Sequence, residues 1–124
     1  MPPLKLPKPP TQSTLRSYGL DESEWRDICR RQGWRCPVCG ELLGARPLAI
    51  DHEHVAGFRA HKTRRRKGKK WKVRAMHPSD RRRHVRGVLH SFCNRFVRAW
   101  LTLERAKLIL DYLTEHERRR YECS

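Results

Sequence analysis

Two pairs of metal-binding residue types constrain this chain more than any other feature. Cys36 and Cys39 form a C-x2-C pair with proline inside and glycine after it ("CPVCG"), and His90 and Cys93 form an H-x2-C pair ("HSFC"). A spacing of two in a tight turn brings both ligands to one side of an ion, and two such pairs complete a tetrahedron. Thiolate and imidazole donors select zinc over magnesium. With all four positions filled by protein, the ion would be structural and closed. It would tie the loop around Cys36 to the segment that begins the last part of the chain, although residues 40–89 make a long connection between the pairs. A redox dithiol is the alternative for Cys36 and Cys39, which lack the strand-before-helix setting of such motifs. A core or surface histidine is the alternative for His90.

Composition explains why such a cross-link matters. At 124 residues the chain is long enough for one domain, but hydrophobic residues make up 37% and aromatics 8%. That is thin for an independent core, so a metal, an oligomer or both are expected to supplement it. The formal net charge is +16. Such a surface attracts polyanions and works against its own compactness. The cysteines are Cys29, Cys36, Cys39, Cys93 and Cys123; an odd number, with no apolar leader in "MPPLKLPKPP", points to a reducing compartment rather than a disulfide framework or secretion. No apolar run approaches the roughly 18 residues of a membrane span, so no membrane partner is expected.

Along the chain, residues 1–17 read as a proline-stiffened basic arm. "YGLDESEWRDICRRQG" reads as a helix, with Asp21 as N-cap, Glu24 three residues on, and Trp25, Ile28 and Cys29 as its apolar stripe. Cys29 is thus a core residue rather than a ligand, and Gly33 ends the helix. "PLAIDHEH" and "HVRGVLH" read as strands, with turn-rich "WRCPVCGELLGARP" before the first. After "SFCN" the apolar period turns helical, from Phe96 to Leu113, with a break near Thr102. The charged end "EHERRRYECS", residues 115–124, should fray, and residues 118–124 are set apart as a charged tail. The fold class is α+β.

The chemistry concentrates at the end of the first strand. Asp51, His52 and His54 lie there, and Asn94 directly follows a zinc-type cysteine. Cleaving a phosphodiester needs a water, a group to take its proton, and a cation for the phosphate charge. The oxygens of Asp51 and Asn94 are hard donors that suit Mg²⁺ or Mn²⁺. His52, titrating near neutrality, suits the base. Taken alone, "DHEH" would read as a solvated strand end; its place between the two zinc pairs favours chemistry.

The blocks "YGLDESEW", "QGWRCPVCG", "LAIDHEH", "VRGVLHSFCNRFV" and "LILDYL" together resemble the phage recombination endonuclease VII family, within the HNH or ββα-metal (His-Me finger) nucleases. The resemblance covers residues 18 to 113, and the domain is drawn from 18 to 117. It implies a hairpin and helix around one catalytic metal, with a structural zinc beside it and helices flanking both. Asp51 and Asn94 correspond to the metal ligands, His52 to the general base, and His54 to a second active-site histidine near the phosphate or leaving group. Cys36, Cys39 and Cys93 fall on zinc cysteines; His90 stands where the family usually has a cysteine. The resemblance further implies branched DNA as substrate, a homodimer, phage recombination proteins as partners, and the cytoplasm of an infected host cell. A nicking or nonspecific endonuclease linked to phage packaging proteins is the alternative enzyme. A silent zinc module binding nucleic acid is the alternative from another class.

The second departure from the family is the insertion, residues 55–84. From Arg59 to Arg86 its only acid is Asp80. Trp71, Val73 and Ala75 alternate with Lys70, Lys72 and Arg74, and Gly68 could turn the chain, so one reading is a basic β-hairpin finger. The other is a solvated charge run. In either form Arg64, Arg65, Arg66, Lys67, Lys69, Lys70 and Lys72 are the expected phosphate contacts. Trp71 either stacks on a base or packs on the domain. Arg118, Arg119 and Arg120 add a second basic cluster.

Overall fold

The computed structural model describes residues 5–55, 58, 61–64, 70–73 and 76–122, with backbone alone at 61–64 and 70–73. The helices are α1 (Gln12–Ser17), α2 (Glu22–Arg31), α3 (Pro78–Arg81), α4 (Ser91–Asn94) and α5 (Leu103–Glu122), and the strands are β1 (Leu48–His52), β2 (His61–Arg64), β3 (Lys70–Val73) and β4 (Val85–His90).

α2 begins where the capping pattern predicts. The Asp21 carboxylate accepts the Glu24 N–H at 2.7 Å, satisfying a donor the first turn cannot bond internally. Trp25 and Cys29 point into the core and are fully buried. Gly33 and Trp34 then take positive φ, 66° and 60°, which stops the helix and redirects the chain into the knuckle. For Gly33 that conformation carries no steric cost; for Trp34 it does.

β1 and β4 form the central antiparallel pair, from Leu48↔His90 to Asp51↔Gly87. Val88, Leu89 and His90 are all buried, so β4 is covered on both faces. The outward backbone groups of Val88 meet the side chain of Gln32: its amide donates to the Val88 carbonyl at 2.7 Å and accepts the Val88 N–H at 2.9 Å. One side chain at the end of α2 thereby replaces a rung that a third strand would have supplied.

β4 runs directly into α4 and a 3-10 turn, Arg95–Val97. This is a small α+β core: a two-stranded antiparallel sheet with helices around it, consistent with a ββα-metal-like arrangement. The second sheet is β2 with β3, antiparallel from His61↔Val73 to Arg64↔Lys70. The hairpin reading of the insertion therefore describes the backbone. Arg65, Arg66, Lys67 and Lys69 lie outside the described residues.

The two ends of the chain depart from expectation. Gln12–Ser17 is helix, capped by Thr11, with Leu15 buried in the core. The extended arm thus ends earlier than residue 17, because Leu15 and Tyr18 give the segment an apolar anchor. The arm also packs: a side chain at Gly44 would run into the Lys5 carbonyl. At the other end α5 continues through Glu122 instead of fraying from residue 115. Arg118 bonds both Glu115 and Glu122, i,i+3 and i,i+4 pairs that support an exposed helix.

Candidate metal centre and active site

Cys36, Cys39, His90 and Cys93 converge, with their ligand atoms all within 4.8 Å of one another. A tetrahedral zinc with sulfur at about 2.3 Å would set its ligands roughly 3.8 Å apart, so the cluster is the right size. The knuckle is shaped by backbone bonds: Cys36 N–H to the Glu41 carbonyl at 2.9 Å, and Gly40 N–H to the Cys36 carbonyl at 2.8 Å. His90 Nε2 donates to the Leu42 carbonyl at 3.0 Å. A carbonyl can only accept, so the proton is on Nε2 and the lone pair on Nδ1, which faces Cys39 Sγ at 3.2 Å. That is the tautomer a metal-binding imidazole needs, so the replacement of a cysteine by His90 leaves the donor set suited to zinc.

The thiols differ in acidity. Burial raises Cys36, but backbone N–H groups of His90, Cys39 and Val38 and the Cys39 side chain outweigh it, bringing the thiol down to about 7. Burial pushes Cys93 up to about 11, assisted by its cysteine neighbours. Burial also pushes Cys29 up to about 11, against the pull of Arg26. Cys29 lies outside the cluster, buried in the core as the helix stripe predicts.

The second group of residues lies at the far end of β1. His52 is half-buried, and its Nδ1 bonds the Glu53 carbonyl at 2.9 Å. By the same argument Nδ1 carries the proton and Nε2 the lone pair. Phe58 stacks on the ring at 3.8 Å between centroids and 4° between planes, and Tyr18 lies at 5.9 Å. His54 is 5.2 Å from His52, ring to ring. Asn94 joins the two: it lines one cavity of about 240 Å³ with His52, and another of about 390 Å³ with His54.

Asp51 is placed differently. It lines neither of those cavities, and only 6% of it is exposed. Its carboxylate accepts Arg86 Nε at 2.8 Å on one oxygen and Arg86 Nη2 at 3.0 Å on the other. The cause is local. The β1–β4 register shifts between Asp51↔Gly87 and His52↔Val85, so Arg86 is the extra residue of a bulge, and a bulge re-aims its side chain. Arg86 also donates to the Val97 carbonyl at 3.0 Å, tying Asp51 to the turn after Asn94. A carboxylate has about four lone-pair directions and the guanidinium uses two. The Asp51 carboxylate thus sits beside a fixed positive charge, which opposes a bound cation.

Two of these residues escaped the sequence reading. By sequence Arg86 is one more charge at the end of the basic run; an arginine beside a glycine inside an apolar strand is the signal that singles it out. Phe58 carries no motif, and its stacking depends on a chain path that sequence does not reveal.

The chain is 28% identical over 102 residues to the Gene 59 protein of Mycobacterium phage D29, covering 80% of this chain and 46% of that protein. Against the Gene 59 protein of Mycobacterium phage L5 it is 26% identical over 102 residues, with the same coverage of both. The chain therefore spans about half the length of these curated relatives. No solved structure matches. The family described as Recombination endonuclease VII matches residues 11–115, taking in the knuckle, the β1–β4 pair and most of α5, and the chain belongs to that family.

Proposed function

We propose that this chain is a metal-dependent endonuclease that hydrolyses DNA phosphodiester bonds, with zinc bound by Cys36, Cys39, His90 and Cys93. The observation that carries the reading is His52: an imidazole whose Nδ1 is committed to a backbone carbonyl and whose ring is held by Phe58, next to Asn94 and His54. In this reading Nε2 of His52 accepts the proton of the attacking water. His54 contacts the phosphate or the leaving oxygen. Asp51 and Asn94 would hold Mg²⁺ or Mn²⁺, which when bound would supply charge for the leaving 3′-oxygen. Arg86 keeps Asp51 oriented and the turn after Asn94 in place.

Branched DNA is the proposed substrate, and two copies of the chain the proposed working unit, inside an infected host cell with its recombination or packaging proteins. The exposed apolar residues of α5 support pairing. The basic hairpin β2–β3 supports a backbone-holding role for the insertion. One observation favours a second reading: Asp51 already neutralised by Arg86 suits a zinc module that binds nucleic acid without cutting it. Incubation with supercoiled plasmid and with a synthetic four-way junction, each with and without magnesium, separates the cases. Magnesium-dependent cleavage that prefers the junction is the expected result. Plasmid nicking without junction preference would replace the substrate, and binding without cleavage would leave the silent module.

A further inference from the structure

Among the arginines whose side chains are described, all but three bond a protein oxygen: a carboxylate, as in Arg26, Arg82 and Arg86, or a carbonyl or amide oxygen, as in Arg35, Arg81 and Arg16. The exceptions are Arg95, Arg98 and Arg120. Arg95 and Arg98 are exposed and line the same cavity of about 390 Å³ as His54, Ser91 and Asn94. Ala99 completes the lining, so no carboxylate lines it. Arg95 also rests over the Phe92 ring, 5.9 Å from its centroid, which limits where the guanidinium can go without using its N–H groups.

The chemistry of that lining is one-sided. Two guanidiniums, an imidazole, a hydroxyl and an amide can all donate hydrogen bonds, and the fixed charge is positive. An unpaired guanidinium has five donors in a planar fork that matches the oxygens of a phosphate. Apart from Arg120 on α5, the other arginines with described side chains have oxygens of the fold; Arg95 and Arg98 have none, and both stand beside Asn94 and His54.

We infer that Arg95 and Arg98 form the seat for the DNA phosphate at the reaction centre, with His54 and Ser91 completing the donor set. This rests on the nuclease reading above for the identity of the phosphate. It assigns positioning of that phosphate to the turn after Asn94 rather than to the basic hairpin. The two arginines are separated by Phe96 and Val97, so the turn itself spaces them.

The test uses the zinc-loaded 124-residue chain and a fluorescent DNA duplex. In a His52→Ala background, affinity is measured across a salt series with and without Arg95→Ala and Arg98→Ala. Two lost phosphate contacts should reduce the log–log salt slope by about 1.8, at 0.9 per contact. Arg95→Lys with Arg98→Lys, which keeps the charge, should restore most of the slope. With His52 intact, the alanine pair should slow cleavage at saturating DNA on the order of 10²-fold, as loss of a preorganised charge clamp does. Zinc content should stay unchanged, because both side chains are exposed and neither touches the cluster. An unchanged slope overturns the seat, and so does a smaller slope with an unchanged rate at saturation, which would put the contacts elsewhere on the backbone. A wild-type chain that binds DNA and never cuts it counts against the nuclease reading; the salt slope then decides for or against the seat by itself.

Discussion

His52 shows how one side chain is prepared by its surroundings. The Glu53 carbonyl chooses its tautomer, and Phe58 and Tyr18 restrict its ring. His52→Ala should lower cleavage by about 10²–10⁴-fold, the usual loss on removing a general base. Zinc content and DNA affinity should stay near the parent's; cleavage close to wild type would reject His52 as the base. Cys29 makes a different point about burial. Below pH 9 the thiol is protonated in both folded and unfolded chains. Between 9 and 11 the unfolded thiol ionises while the folded one, pushed up to about 11, does not. Unfolding then releases a proton, so stability falls as pH rises through that window, by up to about 1.4 kcal/mol per pH unit. Urea titrations on both sides of pH 9 should show a shallower alkaline decline for Cys29→Ala than for wild type. Parallel declines would mean that Cys29 ionises equally in both states.

Among the elements, the knuckle and β4 depend on each other. The knuckle supplies two cysteines before β1; the end of β4 supplies His90, and α4 supplies Cys93. Asn94 follows Cys93 directly, so whatever fixes the cluster also fixes Asn94. Cys36→Ser should therefore lose the roughly one zinc per chain expected of the parent, and fold poorly, since a structural metal supplies folding energy. Elemental analysis with circular dichroism tests this, and a full zinc complement in the variant would remove Cys36 from the ligand set. The same dependence explains how so small a sheet persists. Two strands alone are marginal in water. Here one edge of β4 pairs with β1, Gln32 occupies the other edge at Val88, and the cluster holds its end.

For the whole molecule, the notable imbalance is α5. It runs twenty residues, and none of them is buried. Leu103, Leu110, Tyr112 and Leu113 are between 53% and 74% exposed, which costs a chain already short of core. In the pairing proposed above, a second copy would cover them. Leu110→Glu should shift the protein from dimer to monomer in sedimentation velocity, with the zinc cluster intact. A wild-type chain that sediments as a monomer at micromolar concentration would sink the pairing. Among the described residues no helix is long and apolar enough to cross a membrane, so a bilayer is not what α5 spans.

Local chemistry was legible in the sequence. The Asp21 cap, the Trp25–Cys29 stripe, the two ligand pairs and the strand at 70–73 each depend on neighbours a few residues away, and each is present in the fold. Their physics is short-ranged: a cap needs three residues, a knuckle four, and a strand face repeats every second residue. Contacts between distant segments were not legible. Arg86 meets Asp51 only because a one-residue bulge turns it across the sheet, and Phe58 reaches His52 only through the path of the insertion. Gln32 finds Val88 across 56 positions of sequence, and Arg95 and Arg98 stand out only once the partners of the other arginines are known. Composition showed an excess of positive charge; which charges the fold neutralises, and which it leaves unpaired beside Asn94, is settled by where the backbone places the few acids the chain has.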